Sequence, residues 1–158
     1  MEIEFDVKID AGSLYDYMLH HTFTSFSGVL GAAVGAFLLV GGVMSGGWAY
    51  LAAGLIILAY QPVSLYLRAR KQALNPVFKE PLHYRLTEEG VEVSQKETKE
   101  FQKWEDMFKA VSTNKSIILY TGRMNASIFP KRDLKDDLEG AVEMISTHMP
   151  AKKVNIRL

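Results

Sequence analysis

Ile3, Phe5, Val7 and Ile9 alternate with Glu2, Glu4, Asp6 and Lys8, a period of two that predicts a half-buried strand. After Gly12-Ser13 the spacing changes. Leu14, Tyr17, Met18 and His21 fall on one face of a short helix ending at Phe23, with Ser13 and Asp16 at capping-box spacing although Asp replaces the usual Glu or Gln. A helix of this kind lies along a membrane interface and leads into a first span. Two apolar runs come next, Phe26 to Met44 and Trp48 to Leu67, separated only by Ser45-Gly46-Gly47. As helices rising about 1.5 Å per residue they reach roughly 29 to 30 Å, the thickness of a bilayer's hydrocarbon core. So short a joint permits only an antiparallel hairpin, with both ends on one side. Gln61-Pro62 is expected to break the hydrogen-bond ladder of the second run and kink it.

Residues 68–81 have no strand period, and Asn75-Pro76 stops any continuing helix, so this stretch reads as a juxtamembrane connector. From Leu82 the pattern is one of short strands: Leu82 to Thr87, Val91 to Gln95, Glu100 to Trp104, Met107 to Thr113, Ser116 to Thr121 and Ala126 to Phe129, with turns at Glu89-Gly90, Asn114-Lys115 and Gly122. This predicts an antiparallel meander. Asp133 is placed to cap a helix carrying Leu134, Leu138, Ala141, Val142, Ile145 and Met149 on one face, which Pro150 ends. Val154 to Leu158 alternate again and can add an edge strand.

Charge sharpens the division. The chain has 158 residues with 18 acidic and 18 basic side chains, yet positions 17–67 contain no Asp, Glu, Lys or Arg. Residues 1–27 hold one basic and five acidic groups, and 68–158 hold seventeen basic and thirteen acidic. This excludes a disordered chain and a uniformly basic nucleic-acid binder, and the absence of Cys excludes a disulfide scaffold. Arg68, Arg70 and Lys71 follow the second run at once, which by the positive-inside bias assigns both termini to the cytoplasm. Trp48 and Tyr50 would mark the outer interface, and Phe23, Tyr60 and Tyr66 the inner one. The expected fold is therefore an α+β membrane protein: a strand and interfacial helix over 1–25, a transmembrane hairpin over 26–67, a basic connector over 68–81, and over 82–158 a small antiparallel sheet closed by a C-terminal helix, pleckstrin-homology-like in outline.

Reactive groups are sparse. His20 and His21 sit beside the first span, His83 and His148 are isolated, and no HExxH, Cys ligand, nucleophile elbow, P-loop or dinucleotide motif occurs. Glu105 and Asp106, next to Trp104, read as a turn anchored by that tryptophan. Neither catalytic nor metal-binding residues are assigned, and no cofactor is expected. Arg68, Arg70 and Lys71 can meet an anionic headgroup layer, and Lys131 and Arg132, at the start of the last helix, can meet a lipid, another anion or a partner. Gly28, Gly31, Ala32 and Gly35 form a small-residue stripe for helix packing, within the hairpin or between copies.

Tyr84-Arg85-Leu86-Thr87-Glu88-Glu89-Gly90-Val91, Trp104-Glu105-Asp106-Met107, Ile117-Ile118-Leu119-Tyr120 and Ile128-Phe129-Pro130-Lys131-Arg132 together resemble the C-terminal domain of the bacterial YcxB-like family. The resemblance extends to the whole layout of strand, helix, two-span hairpin and cytoplasmic domain, and implies a bacterial inner-membrane location, but no activity. The expected role is non-enzymatic, a membrane-tethered interaction or regulatory module partnered by the bilayer and by another protein or a second copy, without nucleic acid. Toxin immunity or transporter assistance, and anionic-lipid sensing, are the competing readings.

Overall fold

The protein is described by a computed structural model covering residues 2–123 and 125–157. The N-terminal alternation forms β1 (Ile3–Val7), whose odd residues are buried and even residues exposed. Helix α1 (Ala11–Phe23) follows. Its cap is Asp10 and not Ser13: the Asp10 side chain accepts from the Ser13 amide at 2.7 Å, and Ser13 already lies inside the first turn, its hydroxyl donating to the same carboxylate. The apolar runs form α2 (Phe26–Ser45) and α3 (Trp48–Ala73), and Gly46 joins them with φ +66°, a backbone that favours glycine.

Helix α3 continues through Pro62 as one element and on past Leu67 to Ala73. The basic residues Arg68, Arg70 and Lys71 thus occupy its last turns and not a connector, while Asn75 caps a single 3-10 turn over Pro76–Phe78. Along α2 the buried positions are Gly28, Gly35 and Gly42, one every two turns. A Cβ on Gly35 would sit 2.7 Å from Leu58 Cγ, and one on Gly54 would sit 2.8 Å from the Gly35 carbonyl oxygen, so glycine is what lets the two backbones touch.

Beyond the hairpin lie β2 (Leu82–Leu86), β3 (Gly90–Gln95), β4 (Thr98–Lys103), β5 (Lys109–Ser112), β6 (Ser116–Tyr120) and β7 (Ala126–Pro130). They are two sheets and not one meander. The first has the order β1-β2-β3-β4, with Phe5 opposite Tyr84, Tyr84 opposite Val93 and Val93 opposite Glu100. The second has the order β7-β6-β5-β8, where β8 (Val154–Asn155) lies parallel to β5. The short 3-10 turn Trp104–Asp106 carries the chain between them.

The C-terminal helix is interrupted. After α4 (Lys131–Leu134) the backbone turns at Lys135 with φ +47°, passes a 3-10 turn and resumes as α5 (Leu138–His148). Asp133 caps nothing, since its carboxylate accepts from the Lys8 amide at 3.0 Å. The main core joins Ile3, Phe5 and Val7 of β1, Tyr84 and Leu86 of β2, Ile117 and Leu119 of β6, Phe129 of β7, and Met144 and Ile145 of α5. The opposite face of β6, Ile118 and Tyr120, packs with Val111 and against Tyr17 of α1. Both faces of β6 are therefore covered, which is why Ser116-Ile-Ile-Leu-Tyr120 is buried throughout. Helix α1 is shared, because Leu14 also belongs to the main core beside Ala69 of α3, and the Tyr15 and Tyr66 rings meet edge to face at 5.5 Å.

Candidate binding crevice

The inner face of the first sheet changes character across its strands. Ile3, Phe5 and Val7 are apolar, as are Leu82, Tyr84 and Leu86, and then Val91 and Val93; β4 ends the row with Thr98, Glu100 and Gln102. An apolar column there would have drawn the second sheet over it. A polar one leaves β4 exposed along nearly its whole length. Between β3, β4 and the β6–β7 turn lies an open crevice of about 700 Å³, walled by Leu82, Val91, Val93, Met107 and Ala126. Its polar groups converge. The Ser127 side chain and the Glu100 carboxylate are both close enough to the Tyr84 hydroxyl to act on its charge. Burial pushes the Tyr84 hydroxyl's pKa above its ordinary value; Glu100 adds to this and Ser127 opposes it. Gln102 Nε2 donates to the Thr121 carbonyl at 3.2 Å and ties β4 to the turn across the crevice.

A smaller cleft of about 270 Å³ shares Leu82, Tyr84, Asn125 and Ala126 with the crevice and reaches Leu14 and Tyr17 of α1 and Gln72 of α3. The crevice therefore borders the juncture between the domain and the hairpin. A half-apolar volume of this size with a few convergent polar atoms suits a side chain or short segment of a ligand.

The residues singled out from the sequence lie elsewhere. Arg68, Arg70 and Lys71 are exposed on α3, Arg70 lying 5.9 Å from the centroid of the Tyr66 ring. Arg132 is engaged internally: Nη1 donates to Asp10 at 2.8 Å, Nη2 to the Lys8 carbonyl at 3.2 Å and Nε to Asp133 at 3.3 Å. Lys131 Nζ donates to the Arg157 carbonyl at 3.2 Å. These two residues border a cleft of about 320 Å³ with Gly12, Ser13, Lys115 and Ser116, which includes none of the basic residues of α3. The short helix they begin has four residues, too few to develop the dipole expected of it.

Gly28, Gly31 and Gly35 face inward, toward Thr22, Gln61 and Leu58 respectively, and Ala32 is half-buried. Trp104 is buried, with Nε1 donating to the Thr87 carbonyl at 2.8 Å and its ring stacked on His148 at 5.8 Å. Glu105 and Asp106 are exposed, Glu105 lying 3.6 Å from Lys103. His83 pairs with Asp6 at 2.8 Å. Among the described residues no three His, Cys, Asp or Glu side chains gather as metal ligands would. Tyr84, Glu100 and Ser127 escape a reading of the sequence, since they are far apart along the chain; the one local signal is the polar inner column of β4.

The molecule is thus a two-sheet α+β domain with a long apolar helical hairpin inserted between its first helix and its second strand. Residues 86–145 match the model of a family described as YcxB-like protein. The match runs from the end of β2 into α5 and includes Glu100 and Ser127, while β1, α1 and the hairpin precede it. No curated protein and no solved structure matches the chain.

Proposed function

We propose that this chain is a two-span membrane protein whose sheet domain, pleckstrin-homology-like in outline, stands on the cytoplasmic side as a tethered binding module with no chemistry of its own. The observation that carries the reading is the open crevice at β4, a half-apolar volume beside the free edge of a sheet. Membrane insertion is supported by the hairpin's surface: Phe26, Phe37 and Trp48 are 83%, 78% and 79% exposed, and an apolar patch of that extent drives aggregation in water. The basic turns of α3 favour the cytoplasmic side.

Tethering supplies the mechanism. A partner segment that meets the domain at the bilayer does so at a raised effective concentration, so a weak crevice contact suffices. The test is a photoreactive residue introduced in native membranes at Thr98, on the crevice side of β4, and for comparison at Ser94, on the opposite face of the sheet. Crosslinking of a defined segment from Thr98 and not from Ser94 is expected. Equal labelling from both positions, or none from Thr98, would overturn the reading.

A further inference from the structure

We propose that the crevice takes an extended segment of a partner protein, added as a strand along β4, with one Lys or Arg set opposite Glu100 and apolar side chains two residues to either side. The inference rests on the crevice being a binding site and names what it recognises.

Strand β4 is the free edge of its sheet, and among the described residues its backbone makes no hydrogen bond beyond the ladder to β3. A strand laid beside it would pair with those vacant groups at about 4.8 Å and continue the rows of the sheet. One row is Phe5, Tyr84, Val93, Glu100. The next position in it belongs to the added strand, directly opposite the carboxylate, where an opposite charge stabilises and a like charge repels.

Glu100 is the one charged side chain among the described residues lining the crevice. The lysines around it are already matched: Lys96 with Glu80 at 3.0 Å, Lys99 with Glu92 at 3.1 Å and Lys103 with Glu105 at 3.6 Å. No ion pair engages Glu100 itself among the described residues, so the crevice presents uncompensated negative charge. Residues two places away on the added strand would face Thr98 and Gln102 and reach the apolar wall of Met107 and Ala126. This sets an apolar-x-cation-x-apolar pattern.

The full chain in detergent should be panned against a random library of displayed seven-residue peptides, in parallel with Glu100→Gln, Glu100→Lys and Thr98→Trp. All three substitutions are on exposed strand surface, where folding is little affected. The wild type is expected to enrich a central Lys or Arg flanked at two residues by Val, Ile or Phe. Glu100→Gln should lower the affinity of a selected peptide at least about tenfold, Glu100→Lys should enrich Asp or Glu instead, and Thr98→Trp should block binding. Peptides that Thr98→Trp blocks but that show no preference for a cation would overturn this inference and leave the binding site standing. If no peptide is enriched, or Thr98→Trp changes nothing, both fall.

Discussion

Asp10 accepts from the Ser13 amide at 2.7 Å, the Ser13 hydroxyl at 2.9 Å and Arg132 Nη1 at 2.8 Å, so one carboxylate caps α1 and ties it to the strand end at Pro130. Burial resists its charge, but Arg132 and Ser13 outweigh that and hold its pKa at about 2, against an ordinary 3.8. A carboxylate depressed in the folded state contributes stability above its unfolded pKa and loses it as pH falls toward the folded one. Because 46% of the side-chain surface meets water, the coupling with Arg132 is on the order of 1 kcal/mol. Thermal unfolding in detergent should show Asp10→Asn destabilised at pH 6, with the gap to wild type narrowing as pH falls from about 4 to 2; Asp10→Asn with Arg132→Gln should cost less than the sum of the two. Tyr120 makes the opposite case. Among the described residues its buried hydroxyl has no hydrogen-bond partner, and burial, with Tyr17 adding, raises its pKa to about 12. Removing an unsatisfied polar group relieves desolvation, so Tyr120→Phe is expected to leave the melting temperature unchanged or raise it by an amount equivalent to about 1 kcal/mol. Neither role is legible in the sequence. The sequence pattern gives Asp10 no role and reads Arg132 as a cation open to an outside anion, until the fold brings together positions more than a hundred apart in the chain.

At the scale of elements, legibility follows how local the cause is. The alternation of β1 and the two apolar runs are dictated by burial along one element; β1 and α2 end within two residues of the expected bounds and α3 begins where expected. The break at Lys135 depends on neighbours and the sequence pattern misses it, as it misses the run of α3 beyond Leu67 to Ala73. The small-residue stripe admits two uses on sequence grounds, within one hairpin or between copies, and the structure turns Gly28, Gly31 and Gly35 inward, the last two against α3. A side chain at Gly54 would press on the Gly35 carbonyl and on Leu39. Gly54→Val should therefore splay the hairpin and destabilise it by about 1 to 3 kcal/mol, the usual cost of overpacking. Ala36→Val, on an exposed position of α2, should not. Thermal unfolding of the two variants in detergent checks this: Gly54→Val should melt below the wild type, and Ala36→Val should melt with it.

At the scale of the whole molecule, the hairpin is an insertion in a domain that is already under way. Strand β1 pairs with β2 along Ile3 to Val7, and Phe5 stacks with Tyr84 at 5.9 Å and meets Phe129 edge-on at 5.2 Å, so the core contains residues from both sides of the apolar segment. Burying Ile3, Phe5 and Val7 contributes about 1.5 to 3 kcal/mol each, a sum no domain of this size can lose. Residues 82–158 alone are then expected not to fold: the fragment should lack slow amide exchange, whereas the full chain should protect β2 and β6. The same pairing restricts how the chain can meet a bilayer. Strands β1 and β2 must share a compartment, which an even number of crossings allows and a single crossing forbids. The chain has no Cys, so single cysteines can report the sidedness without background. Placed at Glu4 and at Lys99, both exposed, they should be equally protected from an impermeant thiol reagent in intact cells and equally reactive after lysis, while a cysteine at Gly46, in the loop between α2 and α3, should label from outside. Unequal labelling of Glu4→Cys and Lys99→Cys would mean that the ladder between β1 and β2 does not exist in the membrane, and with it would go the core on which the crevice at β4 depends.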